Sequence, residues 1–248
     1  MPLMAMNWTF LISLSDAMIH IQFSTRLGGV SQGSYGHNSQ GLNLATHVGD
    51  DPTHVSRNRE IVRDLLGLPP VVYMNQVHGN EVAFISKTNL NEVFTADALV
   101  TKEHGIALAV LSADCVPMIL QDPQMGVIAA AHVGRPGLLN GIVEKTVLAM
   151  QSVGALTIRA VLGPAICGDC YEVPLQMQSE VSAVAPASRS VTDLGTPGLD
   201  IRDGVAWQLE QFGIDTVIDP ICTKRSELHY SYRRDGITGR TAGFVYLS

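Results

Sequence analysis

The chain has 248 residues, 46% of them apolar, with 16 Lys+Arg against 23 Asp+Glu and a formal net charge of −7. That length buries a large core, and no apolar run reaches the roughly 20 residues that spanning a bilayer demands. The acidic balance, without a basic run or a basic stripe interleaved with aromatics, argues against a nucleic-acid binder and suits an enzyme of small substrates.

Met1–Phe10 has neither a basic n-region nor a small-residue cleavage site, so no secretory signal is expected and the cytoplasm is the default compartment. Four cysteines, Cys115, Cys167, Cys170 and Cys222, are too few for a disulfide scaffold.

Ile19–Phe23 alternates apolar and polar residues and predicts a strand. In Thr25–Ser31 the Gly28-Gly29 pair marks a turn, and the segment to Asn38 is a polar loop. A helix begins near Asp51 or Thr53 with Pro52 in its first turn. It carries Val55, Arg59, Val62, Leu65 and Leu66 at helical spacing and stops at Gly67. Short strands follow at Val71–Met74 and Ala96–Thr101. Two apolar runs, Ile106–Leu111 and Val127–Ala131, predict buried strands, with Gln121–Gly126 as the turn between them. Leu138–Met150 is an amphipathic helix. Beyond it come a strand at Thr157–Leu162, a helix from Tyr171 to about Val184 and a loop over Ala185–Gly198. The chain then gives a helix at Asp200–Phe212, a strand at Thr216–Ile221, and closing segments at Ser226–Tyr232 and Ala242–Leu247. No repeat, low-complexity tract or linker interrupts the chain, so residues 1–248 are expected to form one domain.

The chemistry concentrates where the two apolar runs end. The first delivers Asp114 and Cys115, the second His132 and Arg135. With His78, which also lies where a strand meets a glycine-bearing segment, two imidazoles and a thiolate are available. Such a trio holds a tetrahedral Zn²⁺ with one place open for water or substrate. Taken singly, a buried thiol or a histidine satisfied by backbone is the commoner case, and the spacing matches no zinc finger or metalloprotease helix. Asp114 faces away from Cys115 in extended chain, to order a loop or orient a histidine. Arg135, with the N-terminus of the helix near Leu138, is a candidate anion site. Arg26, Arg59, Arg233, Arg234 and Arg240 are candidates for loop ordering or substrate contact. Cys167-Gly168-Asp169-Cys170 is a C-x-x-C without a second copy or a thioredoxin-like context. It reads as two ordinary loop cysteines, and Cys222 reads the same way.

Several segments in order resemble the YfiH-like family, also labelled laccase-domain, multicopper polyphenol oxidase or peptidoglycan editing factor. They include Thr25–Ser31, Leu42-Asn43-Leu44, Asn58-Arg59, Gln76-Val77-His78-Gly79, Ala96-Asp97-Ala98 and Ala113-Asp114-Cys115-Val116-Pro117. His132–Gly137, Leu162–Ile166, Tyr171-Glu172-Val173, Cys222-Thr223 and Ser231–Arg240 complete the match over nearly the whole chain. The resemblance implies an α/β fold, a four-layer α/β/β/α sandwich, and a zinc-binding trio mapping onto His78, Cys115 and His132. It also implies phosphorolysis of adenosine, inosine, guanosine and methylthioadenosine, with adenosine deamination, and Arg135, Asn43 and Arg59 as substrate-binding residues. One departure stands out. Many members carry a tryptophan and then arginine after the glycine that follows the histidine, whereas here Arg135 follows Gly134 directly. The copper label is set aside, because one thiol and two imidazoles are too few ligands for a laccase's copper set.

The expected activity is therefore zinc-dependent purine nucleoside phosphorolysis by a monomer or weak oligomer. Its partners are purine nucleosides and phosphate, with no nucleic acid and no membrane. A cysteine-dependent amidase editing peptidoglycan precursors, with Cys115 as nucleophile and His132 or His78 as base, is the first rival. A non-catalytic binding module stabilised by its metal is the second.

Overall fold

The computed structural model describes residues 6–8, 18–36 and 40–248. Of the segment read above as lacking a signal, the described residues include 6–8 alone; His37 and Asn38 of the polar loop lie outside them.

The first half of the chain forms β1 (Met6–Trp8), β2 (Ile19–Phe23), β3 (Leu27–Ser31), α1 (Pro52–Leu66), β4 (Val71–Asn75), β5 (Val82–Phe84) and β6 (Phe94–Thr95). Next come β7 (Ala98–Thr101), β8 (Ala107–Ser112), β9 (Val116–Asp122), β10 (Val127–Val133), α2 (Arg135–Asn140), α3 (Ile142–Ser152) and β11 (Arg159–Leu162). The remainder is α4 (Leu175–Val184), β12 (Arg189–Val191), β13 (Pro197–Leu199), α5 (Ile201–Glu210), β14 (Asp215–Ile218), α6 (Tyr232–Asp235) and β15 (Thr241–Leu247).

Two six-stranded sheets face each other, one ordered β1-β2-β15-β8-β4-β6 and the other β14-β11-β9-β10-β7-β5. Strand alternation builds the layers. Leu108 and Val110 of β8 meet Ile119 of β9 and Ile128 and Ala130 of β10 between the sheets. Met118, Leu120, Ala129 and Ala131 point the other way, under Leu138, Val143, Val147, Val181 and Val205 of the helices. On the far side Ala109, Leu111 and Phe244 pack against Val62 of α1 and Leu42 and Leu44 of the loop before it. The result is the anticipated four-layer α/β/β/α sandwich.

Helix α1 follows the sequence closely. Asp51 accepts from the Thr53 amide, Pro52 opens the helix, and Gly67 closes it at φ 63.

Other segments differ, each for a local reason. Gly28-Gly29 lies in strand β3, not a turn, because Leu27 and Ser31 both bridge to Gly41 and Val30 donates to Asn58 of α1. The region between the two apolar runs contains a further strand, β9, every residue of which is buried. Pro117 disguised it, but it stands next to the strand's start, where a missing N–H is tolerated. The hairpin is thus β9–β10, while β8 belongs to the other sheet. The helix predicted over Leu138–Met150 begins at Arg135 and is divided by Gly141 at φ 80. The helix expected from Tyr171 starts at Leu175, after Pro174. The loop expected over Ala185–Gly198 contains the β12–β13 hairpin. Ser226–Tyr232 forms turns leading into α6.

Candidate metal centre and active-site cavity

Three times the chain passes from the first sheet to the second at the same end of the sandwich, and each passage carries a polar side chain. Between β4 and β5 it carries His78, between β6 and β7 Asp97, and between β8 and β9 Cys115. His132 approaches from β10, opposite Pro117 in register, and Gly134 follows it. Strand ends fixed by two packed sheets place the groups; no local sequence spacing does.

His78, Cys115 and His132 each offer a ligand atom, and these atoms all lie within 4.8 Å of one another. The two imidazole rings meet edge to face, 4.6 Å between centroids. Gly134 closes the floor: a Cβ there would stand 2.7 Å from His78 Nδ1 and 3.0 Å from Cys115 Sγ. A side chain at 134 would crowd His78 and Cys115, two of the three ligands, and with the ligand atoms this close the set fits a small cation such as Zn²⁺.

Asp97 organises the trio. Its fully buried carboxylate accepts from the amides of Val77 (3.1 Å), His78 (3.0 Å) and Gly79 (2.7 Å). Those bonds hold His78 at φ 58, a left-handed conformation that a non-glycine residue rarely adopts unaided. The same carboxylate accepts from His132 Nδ1 at 2.9 Å, which fixes the ring and leaves Nε2 for a ligand. Gln76 braces the neighbouring strand by donating to the Leu111 carbonyl and accepting from the Leu111 amide.

The charges respond to this crowding. Burial and the facing His132 keep His78 below the usual imidazole range. For His132, burial acts to lower the value, but the Cys115 sulfur and the Asp97 carboxylate push it up to about 9. Burial would raise Asp97, yet the His132 ring and the amides of Gly79 and Val77 hold it below the usual carboxylate range. One ring is therefore ready to ligate and the other must release a proton first.

The trio opens into a cavity of about 590 Å³, within the size range of small-molecule sites. Beyond the trio, His47, Arg135, Arg233, Arg240 and the carboxylate of Asp114 line it, with Ile166, Tyr171 and Ile201 among its walls. Arg233 Nη1 donates to the Glu172 carbonyl, and its guanidinium lies 4.7 Å from the centroid of the Tyr171 ring. Arg240 is held by the carbonyls of Thr238 and Gly239, and burial lowers its pKa.

The other residues singled out from sequence fall in different places. Arg135 is in the cavity as the first residue of α2, not as a loop arginine ahead of a helix at Leu138. Asn43 is fully buried, donates to Ala45 and Asp50, and accepts from the Arg240 amide; it does not line the cavity. Nor does Arg59, which bonds the Leu44 carbonyl and stacks 3.8 Å from the centroid of Tyr73. Arg26 bonds the Gly36 carbonyl, and Arg234 gathers the carbonyls of Thr223, Lys224, Ser226 and His229. Asp114, at φ 100, orders loops, accepting from Thr223 Oγ1 and the Arg233 amide. Sequence reasoning missed His47 and the organising part played by Asp97, although Ala96-Asp97-Ala98 is one of the matching segments.

Two packed sheets flanked by helices, with a His-Cys-His trio able to hold a metal where the chain crosses between them, define a class of α/β/β/α protein with its cavity at that crossing. The chain belongs to the family described as multi-copper polyphenol oxidoreductase laccase, whose model matches residues 20–248. It is 51% identical over 234 residues to a purine nucleoside phosphorylase of Streptomyces coelicolor, covering 92% of this chain and 95% of that protein. It is also similar to the crystal structure of the Neisseria meningitidis protein NMB0706, at TM-score 0.82 and 36% identity, covering 93% of this chain and 94% of the other. The crystal structure of Bacillus licheniformis YfiH matches at TM-score 0.83 and 27% identity, covering 93% of both chains. Among the described residues no helix is long and apolar enough to cross a membrane.

Proposed function

We propose that the chain is a zinc-dependent purine nucleoside phosphorylase acting on adenosine, inosine, guanosine and methylthioadenosine, with adenosine deaminase activity in the same cavity. In phosphorolysis a phosphate oxygen forms a bond to the anomeric carbon of the ribose while the bond to the purine nitrogen breaks. The products are the sugar 1-phosphate and the free base. His78, Cys115 and His132 would hold the zinc, which supplies a Lewis-acidic place open to the reactants.

The chain's own residues meet the other needs. Arg135, Arg233 and Arg240 put positive charge around an anion of phosphate size, and His47, held below the usual imidazole range by burial and by Arg240, adds a neutral hydrogen-bonding ring. Tyr171, Ile166 and Ile201 offer apolar surface for the purine and keep water away from the reacting carbon. Asn43 and Arg59 act at one remove: Asn43 fixes the Arg240 backbone, and Arg59 ties α1 to the loop at Leu44. Work in the cytoplasm suits four free thiols.

The observation that carries the reading is the meeting of the ligand trio and the arginines in one cavity, in a chain half identical to a named purine nucleoside phosphorylase. Purified protein given a panel of purine nucleosides should release free base only when phosphate is present, and a chelator should stop it. Cys115→Ala should lose phosphorolysis and deamination together. Full phosphorolysis by Cys115→Ala overturns the shared centre. Inactivation by a thiol alkylator, with no effect of a chelator and no nucleoside turnover, would instead favour the cysteine amidase.

A further inference from the structure

The loop cysteines are not scattered. The sulfurs of Cys167, Cys170 and Cys222 lie within 4.8 Å of one another, although Cys222 is 52 residues beyond Cys170. Cys167 is buried and the other two are half-buried. A parallel bridge between Ala165 and Cys222 brings the two loops together, and the Thr223 amide donates to the Ala165 carbonyl at 3.1 Å.

The backbone around them has the form that thiolate ligands use. After Cys167 the chain turns at once, with the amides of Cys170 and Tyr171 donating to the Cys167 carbonyl at 3.0 and 3.1 Å. Gly168 occupies the turn, where a Cβ would stand 2.7 Å from Ser190 Cβ and 3.1 Å from Asp200 Cβ. The Cys167 amide donates to Cys222 Sγ at 3.4 Å, and the amides of Arg225 and Ser226 donate to the Cys222 carbonyl at 3.2 and 3.0 Å, a second tight turn that presents its sulfur to the first. Lys224 Nζ donates to the Cys170 carbonyl at 3.5 Å and brings a cation to the cluster, whereas Arg225 and Arg202 are already paired with Asp169, Asp193 and Asp200. A disulfide would use two of the sulfurs and leave the third without a role.

We propose that Cys167, Cys170 and Cys222 form a second metal site for a thiophilic d¹⁰ cation such as Zn²⁺, one that cross-links two loops through three sulfurs. Three sulfurs at about 2.3 Å from one Zn²⁺ lie roughly 3.8 Å apart in a tetrahedron, so the cluster needs little closing to bind. What the ion holds is the cavity wall. Ile166 and Tyr171, on either side of the Cys167–Cys170 turn, both line the cavity, and Thr223, beside Cys222, donates to Asp114 at 2.6 Å. This site stands apart from the proposed phosphorolysis, since it uses none of the His78, Cys115 or His132 ligands.

Metal analysis of the full chain, purified under reducing conditions and loaded with Zn²⁺, tests it. Wild type should carry two equivalents, Cys115→Ala one, Cys222→Ser one, and the double variant none. A Cys222→Ser chain with the same zinc content as wild type overturns the proposal, whereas loss of zinc in Cys115→Ala alone bears only on the first centre. If Cys222→Ser does not fold, alkylation mapping of wild type decides. Cys167, Cys170 and Cys222 should be protected together in the zinc-loaded chain and label once a chelator is added. Equal labelling before and after chelation, or peptides joined by a disulfide within the cluster, overturns it.

Discussion

His78, Cys115 and His132 sit at the ends of strands locked between two sheets, whereas Cys167, Cys170 and Cys222 sit on two loops that a parallel bridge at Ala165 and Cys222 brings together. The first group mixes imidazole with a cysteine sulfur, is oriented by the buried Asp97 carboxylate and opens into a cavity. The second is all sulfur, receives one backbone amide in place of a carboxylate and stands behind the cavity wall. Mixed ligands with an open place suit chemistry; uniform thiolates on a tight turn suit cross-linking. The glycine beside each cluster gives a matched way to break one and spare the other.

The largest effect is expected from Gly134→Ala, whose Cβ would press on His78 Nδ1 and Cys115 Sγ. A ligand displaced by the order of 1 Å costs on the order of 100-fold in turnover. The variant should lose the first metal, keep the second and fall by at least about that factor in kcat. Gly168→Ala, strained against Ser190 and Asp200, should do the reverse: it loses the loop metal and keeps the first. Metal content and turnover, measured on both variants, check the pair. Matching losses in both would mean the two centres are a single unit.

Asp97→Asn comes next. The amide keeps the shape but forces a choice: its single oxygen cannot accept from His132 and from all three loop amides at once. Loss of an orienting carboxylate typically costs 10–100-fold in metal affinity or activity. Zinc titration against a competing chelator should place the loss at the first centre alone, with zinc retention at the loop cluster unchanged.

Acid should attack the other region first. His229 is buried in the segment that Arg234 ties to the Thr223, Lys224 and Ser226 carbonyls, and burial and that guanidinium push its pKa from 6.5 down to about 4. Between those values the unfolded chain binds a proton that the folded chain refuses. The stability is therefore fully present above pH 6.5 and lost as pH falls toward 4, by roughly 3 kcal/mol at most. Denaturant midpoints from pH 7 to 4 should fall more steeply for wild type than for His229→Asn. Parallel curves would show that His229 does not drive the loss.

How far all this was legible in the sequence follows from the reach of each interaction. Helix α1 was plain because Asp51, Pro52 and Gly67 act within a turn of their own position. The ligand trio was nameable because each member ends an apolar run, and the family resemblance joined them. Strand β9 was hidden by Pro117, and with it the fact that Cys115 crosses between sheets. Asp97 looks in the sequence like one more polar residue before a strand; its partners lie 18 to 35 positions away and meet it only when the sheets pack. The three loop cysteines were dismissed for the same reason. C-x-x-C without a second pair carries little weight, and the parallel bridge that brings Cys222 in is invisible to spacing.

The smallest expected effect concerns the link between the two regions, Asp114. It stands beside Cys115, and its two oxygens accept from Thr223 Oγ1, next to Cys222, and from the Arg233 amide at the cavity. Asn at 114 tolerates φ 100 nearly as well as Asp, but it has a single acceptor oxygen and must release one of the two bonds. One such bond is worth about 0.5–1.5 kcal/mol, so KM should rise by a few-fold to roughly tenfold with kcat little changed. If the loop metal acts on the cavity through this carboxylate, Cys222→Ser should raise KM in the native background and add less in Asp114→Asn. A shortfall of more than about 0.5 kcal/mol marks the coupling. Strictly additive changes would mean that the cysteine cluster holds its loops without touching substrate affinity, and that the arginines alone set it.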